Sequence, residues 1–304
     1  MKTNVLSTIN DCPTLYNEAK SPFAVYDQEQ LVKIHTTSDT AITSTNNEID
    51  KLLIFAVSQL KCTTSFILET VLHNCGIDEI TQKDVQKRLK ILSACEFIDA
   101  YRFEENNKAG TRSSNKVYIL GWRGAGLLKS YGKKVRLGNY LKTIDATQVK
   151  KILSASQFLI RSGFDINEFS MCEPVFVPSK KQDAKATKIF RPQGLVNING
   201  AETIFIESVK QNSGWKKELL DKLERIATVS MAKEHNISFC KHNTSLLLIA
   251  ENTEHMKKLM RFVEAQYICF PIKIAYSADT LIYADPKNCI FSIKPNFFAS
   301  LFSA

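Results

Sequence analysis

An α+β chain of two domains is what these 304 residues predict: a helical domain closed by a β-hairpin, then a domain with the element order αβββαβ. Three observations carry this. Apolar residues recur at helical spacing from Ile49 to Leu92, two alternating stretches (Phe97–Glu104 and Lys116–Leu120) flank a run of turn residues, and strand-like runs after Glu173 are interrupted by amphipathic stretches. The boundaries follow: 1–46 is a polar, partly flexible segment, 47–142 the first domain and 143–304 the second.

Composition sets limits before any element is placed. A hydrophobic fraction of 44% with 23% charged residues is ordinary for a globular protein. No apolar run approaches the roughly 18 residues of a membrane-crossing helix, and Met1–Asn10 lacks the basic-then-apolar pattern of a signal peptide. A cytoplasmic protein without a membrane partner is expected. The eight cysteines include no CxxC pair, and Cys62, Cys75 and Cys95 sit in apolar surroundings as free thiols do. His235, Cys240 and His242 come nearest to a metal cluster but lack a fourth ligand, so no metal and no cofactor is expected. The net charge of +9 is placed unevenly: Lys108, Arg112, Lys116, Arg123, Lys129, Lys133, Lys134 and Arg136 follow one another without an intervening acid.

In the first domain, Ile49, Leu52, Leu53, Ala56, Val57 and Leu60 form one helical stripe behind Asn47 as N-cap. A second helix from Thr63 or Thr64 buries Phe66, Ile67, Val71 and Leu72 and stops at Gly76. Thr81 opens a third, with Asp84 at the far place of a capping box. At about 100° per residue, Val85, Leu89 and Leu92 turn inward while Lys83, Gln86, Lys87 and Lys90 turn outward. A solvated lysine face is the plain alternative. The hairpin that follows has Asn106–Asn115 as its turn, with Lys108 and Arg112 at the tip and hydroxyls from Thr111, Ser113 and Ser114.

Three helices and a hairpin in this order make a winged helix-turn-helix, whose third helix enters the major groove while the hairpin reaches backbone or minor groove. The expected DNA-binding residues are therefore Lys83, Gln86, Lys87, Lys90, Lys108, Thr111, Arg112, Lys116 and Arg123. Gly121-x-x-Gly124-x-Gly126 follows the second strand and reads as a short helix. It is no nucleotide loop, since no P-loop lysine follows.

In the second domain, Asp145 and Gln148 open a helix containing Val149, Ile152, Leu153, Leu159 and Ile160. Strands are expected at Pro174–Pro178, Ile189–Ile198 and Thr203–Ser208, the last two joined at Asn199-Gly200, a strong hairpin signal. A helix from Trp215, the apolar strand Ser245–Ala250, a helix over Thr253–Ala265 and strands at Ile272–Tyr276, Leu281–Tyr283 and Ile290–Ile293 complete it. The order is that of a restriction-endonuclease-like core, where an acid on one strand and Glu-x-Lys on the next hold Mg²⁺ and activate water. Glu207 is present here. The first acid is replaced by Gln193 and the lysine by Val209, with Lys210 displaced by one and so turned to the opposite face. A neutral amide is a poor Mg²⁺ ligand, and no cleavage is expected; if there were activity, Glu207 and Lys210 would carry it.

Two segments resemble the replication-relaxation family of plasmid and integrated-element proteins: Val117-Tyr-Ile-Leu-Gly-Trp-Arg-Gly-Ala-Gly-Leu-Leu128, and Arg191-Pro-Gln-Gly194 followed by Phe205-Ile-Glu207. The resemblance covers about residues 47–250. It implies a winged helix joined to a restriction-endonuclease-like domain, acting through DNA in replication, copy control or transfer of a mobile element. The leading expectation is a non-enzymatic accessory protein that binds double-stranded DNA, with replication or conjugation proteins as further partners. Homodimer formation is left open, because no heptad marks a seam. Two alternatives stand beside it, a metal-dependent endonuclease or nickase using Glu207 and a winged-helix transcriptional regulator.

Overall fold

The computed structural model of the protein describes residues 7–8, 23–24, 29–35, 47–105, 116–135, 145–163, 166–177, 187–198, 202–232, 244–266 and 270–292. It is mixed α/β and divides into two compact units. A helical unit spans 25–160 with 170–172, and a sheet unit takes 1–24, 161–169 and 173–304.

The helical unit begins with β2 (Glu29–Ile34), β1 (Ser7–Thr8) belonging to the sheet unit. Then come α1 (Glu48–Leu60), β3 (Cys62–Thr63), α2 (Ser65–Asn74), α3 (Gln82–Ala94), β4 (Ile98–Glu105), β5 (Lys116–Leu120), α4 (Trp122–Ser130) and α5 (Ala146–Arg161). The expected caps form. Asn47 Oδ1 accepts from Ile49 N at 2.9 Å, Thr64 Oγ1 from Ile67 N at 3.4 Å, and Thr81 and Asp84 complete their capping box. Leu53, Ile54, Val57, Leu68, Leu72, Val85, Leu89 and Leu92 are wholly buried together, which is what the helical periodicity predicts.

The sheet of this unit runs β2-β4-β5-β3, with all three pairings antiparallel. α4 packs against its inner end by backbone. A Cβ on Gly121 would lie 2.3 Å from the Glu96 carbonyl oxygen, and one on Gly124 would lie 2.2 Å from that of Phe97. The glycines of the Gly121–Gly126 motif are thus there for close approach, as helix–strand packing requires; Gly126, with nothing near it, is not.

Two expectations for the N-terminal half are corrected. Residues 1–46 are not simply a polar lead-in: β1 joins the sheet unit, Phe23 is buried, and β2 pairs with β4 over six residues. Phe23 itself lies in a turn. The strand sits at Glu29–Ile34, where Lys33 bonds Asp99 at 2.7 Å and Glu29 bonds Lys150. The boundary falls at Ile160/Arg161 rather than 142/143, because α5 packs with the helical unit. Cys62 Sγ contacts Val149 O at 3.9 Å, the Lys150 ammonium lies over the Phe103 ring at 4.7 Å, and Asn74 Nδ2 donates to Ile160 O at 3.1 Å. Finally, Lys108, Thr111, Arg112 and Arg136 lie outside the described residues.

The sheet unit holds β6 (Ile166–Met171), β7 (Val175–Val177), β8 (Thr187–Phe190), β9 (Gly194–Ile198), β10 (Glu202–Ser208), α6 (Trp215–Ser230), β11 (Thr244–Ala250), α7 (Thr253–Gln266), β12 (Lys273–Ala278), α8 (Asp279–Ala284) and β13 (Phe291–Ser292). Its main sheet has the order β1-β13-β12-β11-β10-β9-β6. β9 and β10 are antiparallel, as the Asn199-Gly200 signal predicts, while β10, β11 and β12 are parallel. β11 is buried at every residue from Ser245 to Ala250, the condition of a central parallel strand.

Here too the structure departs from expectation. Ile189–Ile198 is two strands, since Arg191-Pro192-Gln193 interrupts it and Pro192 has no N–H to give a ladder. Pro174–Pro178 supplies β7, which pairs with β8 in a separate small sheet, and β6 takes the place beside β9. Leu281–Tyr283 is helical in α8, not extended: the chain turns at Asp279, and Asp285 N closes on Leu281 O at 2.8 Å. His235, Cys240, His242 and the tail from Asn296 lie outside the described residues. Among the described residues no helix is long and apolar enough to cross a membrane.

Candidate nucleic-acid interface

The α3 face is built from the inside outward. Val85, Leu89 and Leu92 seat one side of the helix in the core, leaving Lys83, Gln86, Lys87 and Lys90 exposed on the other. Its orientation is locked by Arg88, whose Nε donates to Asp50 Oδ1 of α1 at 2.9 Å. Asp50 is almost fully buried, and burial pushes its carboxyl above the usual value, with the Arg88 guanidinium pulling the other way. At the start of α3, hydrogen bonds from the Thr81 side chain and then Lys87 hold the Asp84 carboxyl below its ordinary value. Gln82 and Gln86 both donate to Ser65 Oγ, at 3.2 and 3.4 Å. The polar edge of α3 is thereby tied to the first turn of α2.

Lys83, Lys87 and Lys90 are thus brought together with Gln86 on one exposed helix face. Lys116 is exposed at the first residue of β5, opposite Arg102 of β4. Arg123 is placed elsewhere. Its Nη1 donates to Cys95 O at 3.1 Å and its guanidinium lies over the Phe97 ring at 4.9 Å, so it ties α4 to the end of α3. Lys108, Thr111 and Arg112, expected at a hairpin tip, are outside the described residues.

A second polar cluster lies at the carboxyl ends of β10 and β11. The β9–β10 register, Ile206 opposite Gly194, sets Gln193 across from Glu207. Both are buried, at 4% and 1% exposure. Gln193 Oε1 accepts from Ser208 N at 3.0 Å, so its amide binds backbone. The Glu207 carboxylate is held by the Lys222 ammonium of α6. Lys210, two residues past β10, is fully buried and bonded to Asp279 Oδ2 at 2.5 Å, with the Phe23 ring 5.8 Å from its Nζ. Glu207 and Lys210 therefore have different partners; Lys210 lies beyond the end of β10, so strand alternation does not govern where it points. His255 of α7 caps the end of β11, its Nδ1 accepting from Glu251 N at 3.3 Å, and packs edge-on against Trp215 at 5.5 Å. Burial first, then Lys210 and Lys258, push its pKa down to about 4.

Sequence reasoning missed Lys222. Its position on α6, one turn after Glu218, is the single available signal, and nothing in the sequence ties that helix face to Glu207.

No protein-family model matches the chain, and no curated protein matches it. Among solved structures it is similar to the restriction endonuclease FokI, at 12% identity over 80% of this chain and 46% of that one, with a TM-score of 0.28. The chain thus spans about half the length of FokI, and a likeness of that degree carries no argument.

Proposed function

We propose that the protein binds double-stranded DNA through α3, as an accessory protein of a plasmid or integrated element acting in replication, copy control or transfer. One observation carries the DNA reading: three lysines and a glutamine stand exposed on one face of a helix that an aliphatic core and the Arg88–Asp50 bridge hold rigidly from behind. Amide and ammonium side chains on such a face suit base edges and phosphates respectively. The order α1-β3-α2-α3-β4-β5, with β3 paired to β5, supports a winged helix-turn-helix, in which Lys116 leads out of the wing. The process served rests on the likeness of 117–128 and 191–207 to the replication-relaxation family. In the sheet unit, β6-β9-β10 followed by a parallel crossover through α6 to β11 supports a restriction-endonuclease-like core. Gln193 bonded to backbone and Glu207 neutralised by Lys222 favour a scaffold over a nuclease.

A duplex gel shift across salt concentrations tests the reading. Log K falls linearly with log[salt], by about 0.9 for each phosphate contact. A salt-independent shift, or none, overturns it.

A further inference from the structure

A different surface of the helical unit combines exposed rings with lysines. Lys51 and Phe55 lie one turn apart on the outer face of α1, and the segment after α4 runs alongside as Tyr131-Gly-Lys-Lys134. Phe55 and Tyr131 are 38% and 53% exposed; Trp122 of α4 is exposed too, but its indole N–H is bonded to Glu96 at 2.8 Å. Cations and rings alternate across the two segments. The Lys133 ammonium lies 5.7 Å from the centre of the Phe55 ring. Lys129 and Lys134 are exposed nearby in sequence, and Glu48, bonded to Lys51 at 2.7 Å, is the acid beside them. Asp50, which points to α3, lies 100° around the helix from Lys51, so this surface is not the α3 face.

Two exposed π-faces set among lysines are what unpaired nucleotides require: bases stack on rings, and ammonium groups follow the phosphates. Duplex DNA keeps its bases stacked and offers nothing to Phe55 or Tyr131. An acidic peptide would use the lysines and leave the rings in water. We propose that the surface of Phe55, Tyr131, Lys51, Lys133 and Lys134 binds single-stranded nucleic acid, separately from the duplex face on α3.

The test is fluorescence anisotropy of the full chain with a labelled oligothymidylate, a labelled duplex and a labelled oligoglutamate. Phe55→Ala/Tyr131→Ala is expected to weaken oligothymidylate binding about tenfold or more, as loss of stacked rings does, with duplex binding and the melting temperature unchanged. Lys133→Ala/Lys134→Ala should shallow the salt slope by about 0.7 for each phosphate contact removed. Oligothymidylate binding that is absent, unaffected by loss of both rings, or matched by oligoglutamate overturns the proposal. Because Lys87→Ala weakens only the duplex, failure on one surface is distinguishable from failure on the other.

Discussion

Lys222 of α6 neutralises the carboxylate of Glu207 on β10, one of the most buried acids among the described residues. Breaking a buried pair costs more than replacing both members, because the remaining charge stays in a low dielectric. Lys222→Met should lower stability by about 3 kcal/mol in urea unfolding, and Lys222→Met/Glu207→Gln should recover most of it. If the double variant is no better than the single one, the pair is not what holds α6 to the strand. With Mg²⁺ or Mn²⁺, supercoiled plasmid should stay intact; nicking abolished by Glu207→Gln would establish an active site there.

Substitutions on α3 should separate binding from folding. Lys83→Ala, Lys87→Ala and Lys90→Ala should each leave the melting temperature unchanged, and each lost phosphate contact should reduce the salt slope of duplex binding by about 0.9. Equal slopes for the triple variant and the wild type would remove α3 from the interface.

Arg123 makes the converse prediction. Since it bonds Cys95 O and covers the Phe97 ring, Arg123→Ala should lower stability by about 1 kcal/mol without altering the duplex salt slope. A changed slope with unchanged stability would place it at the DNA instead.

The glycines of α4 divide in the same manner. Gly124→Ala drives a methyl into the Phe97 carbonyl and should cost about 1–3 kcal/mol or more, as overpacking does. Gly126→Ala meets nothing within 4 Å and should stabilise by roughly 0.5–1 kcal/mol through helix propensity. Chemical denaturation of the two variants side by side decides this.

His255 links stability to pH. Its folded pKa of about 4 lies below the ordinary 6.5, so the unfolded chain binds the proton first. The contribution of the neutral ring is complete above about pH 6.5 and is lost as pH falls toward 4, up to about 1.4 kcal/mol per unit. Between about pH 7 and pH 5 the wild type should lose about 2 kcal/mol more than His255→Asn, which removes the titrating group. Parallel pH dependence in the two proteins would show that His255 does not titrate there.

Much of the helical unit was legible because its signals are local. The stripe Ile49–Leu60, the Thr81–Asp84 box and the lysine face of α3 follow from one-helix periodicity and capping. Asn199-Gly200 announces the antiparallel β9–β10 pair but not its register: Ile198 pairs with Glu202, one residue further than a two-residue turn gives, and only that shift sets Gln193 across from Glu207. What failed to show depends on distant partners. β2 has no clean alternation of its own, and its place is decided by pairing with β4, with Glu29 opposite Glu105 far along the chain. α5 is buried on every side, Lys150, Lys151, Ser154 and Gln157 included, whereas its amphipathic sequence announces one apolar face. Leu281-Ile-Tyr283 carries strand-forming side chains, yet the turn at Asp279, with its carboxylate on buried Lys210, begins a helix there.

The chain enters the sheet unit, leaves it at Ala24, builds nearly the whole helical unit, and returns at Arg161. The helical unit is therefore nearly an insertion: residues 25–160 carry it as one continuous fragment, short only of 170–172, whereas the sheet unit is split into three segments. Cutting at residue 46 or 142, where composition suggests, would strip away β2 or α5 together with the Lys150–Glu29 bond between them. A permuted or grafted form of the α3 face should accordingly be cut at 24/25 and 160/161, and nowhere between.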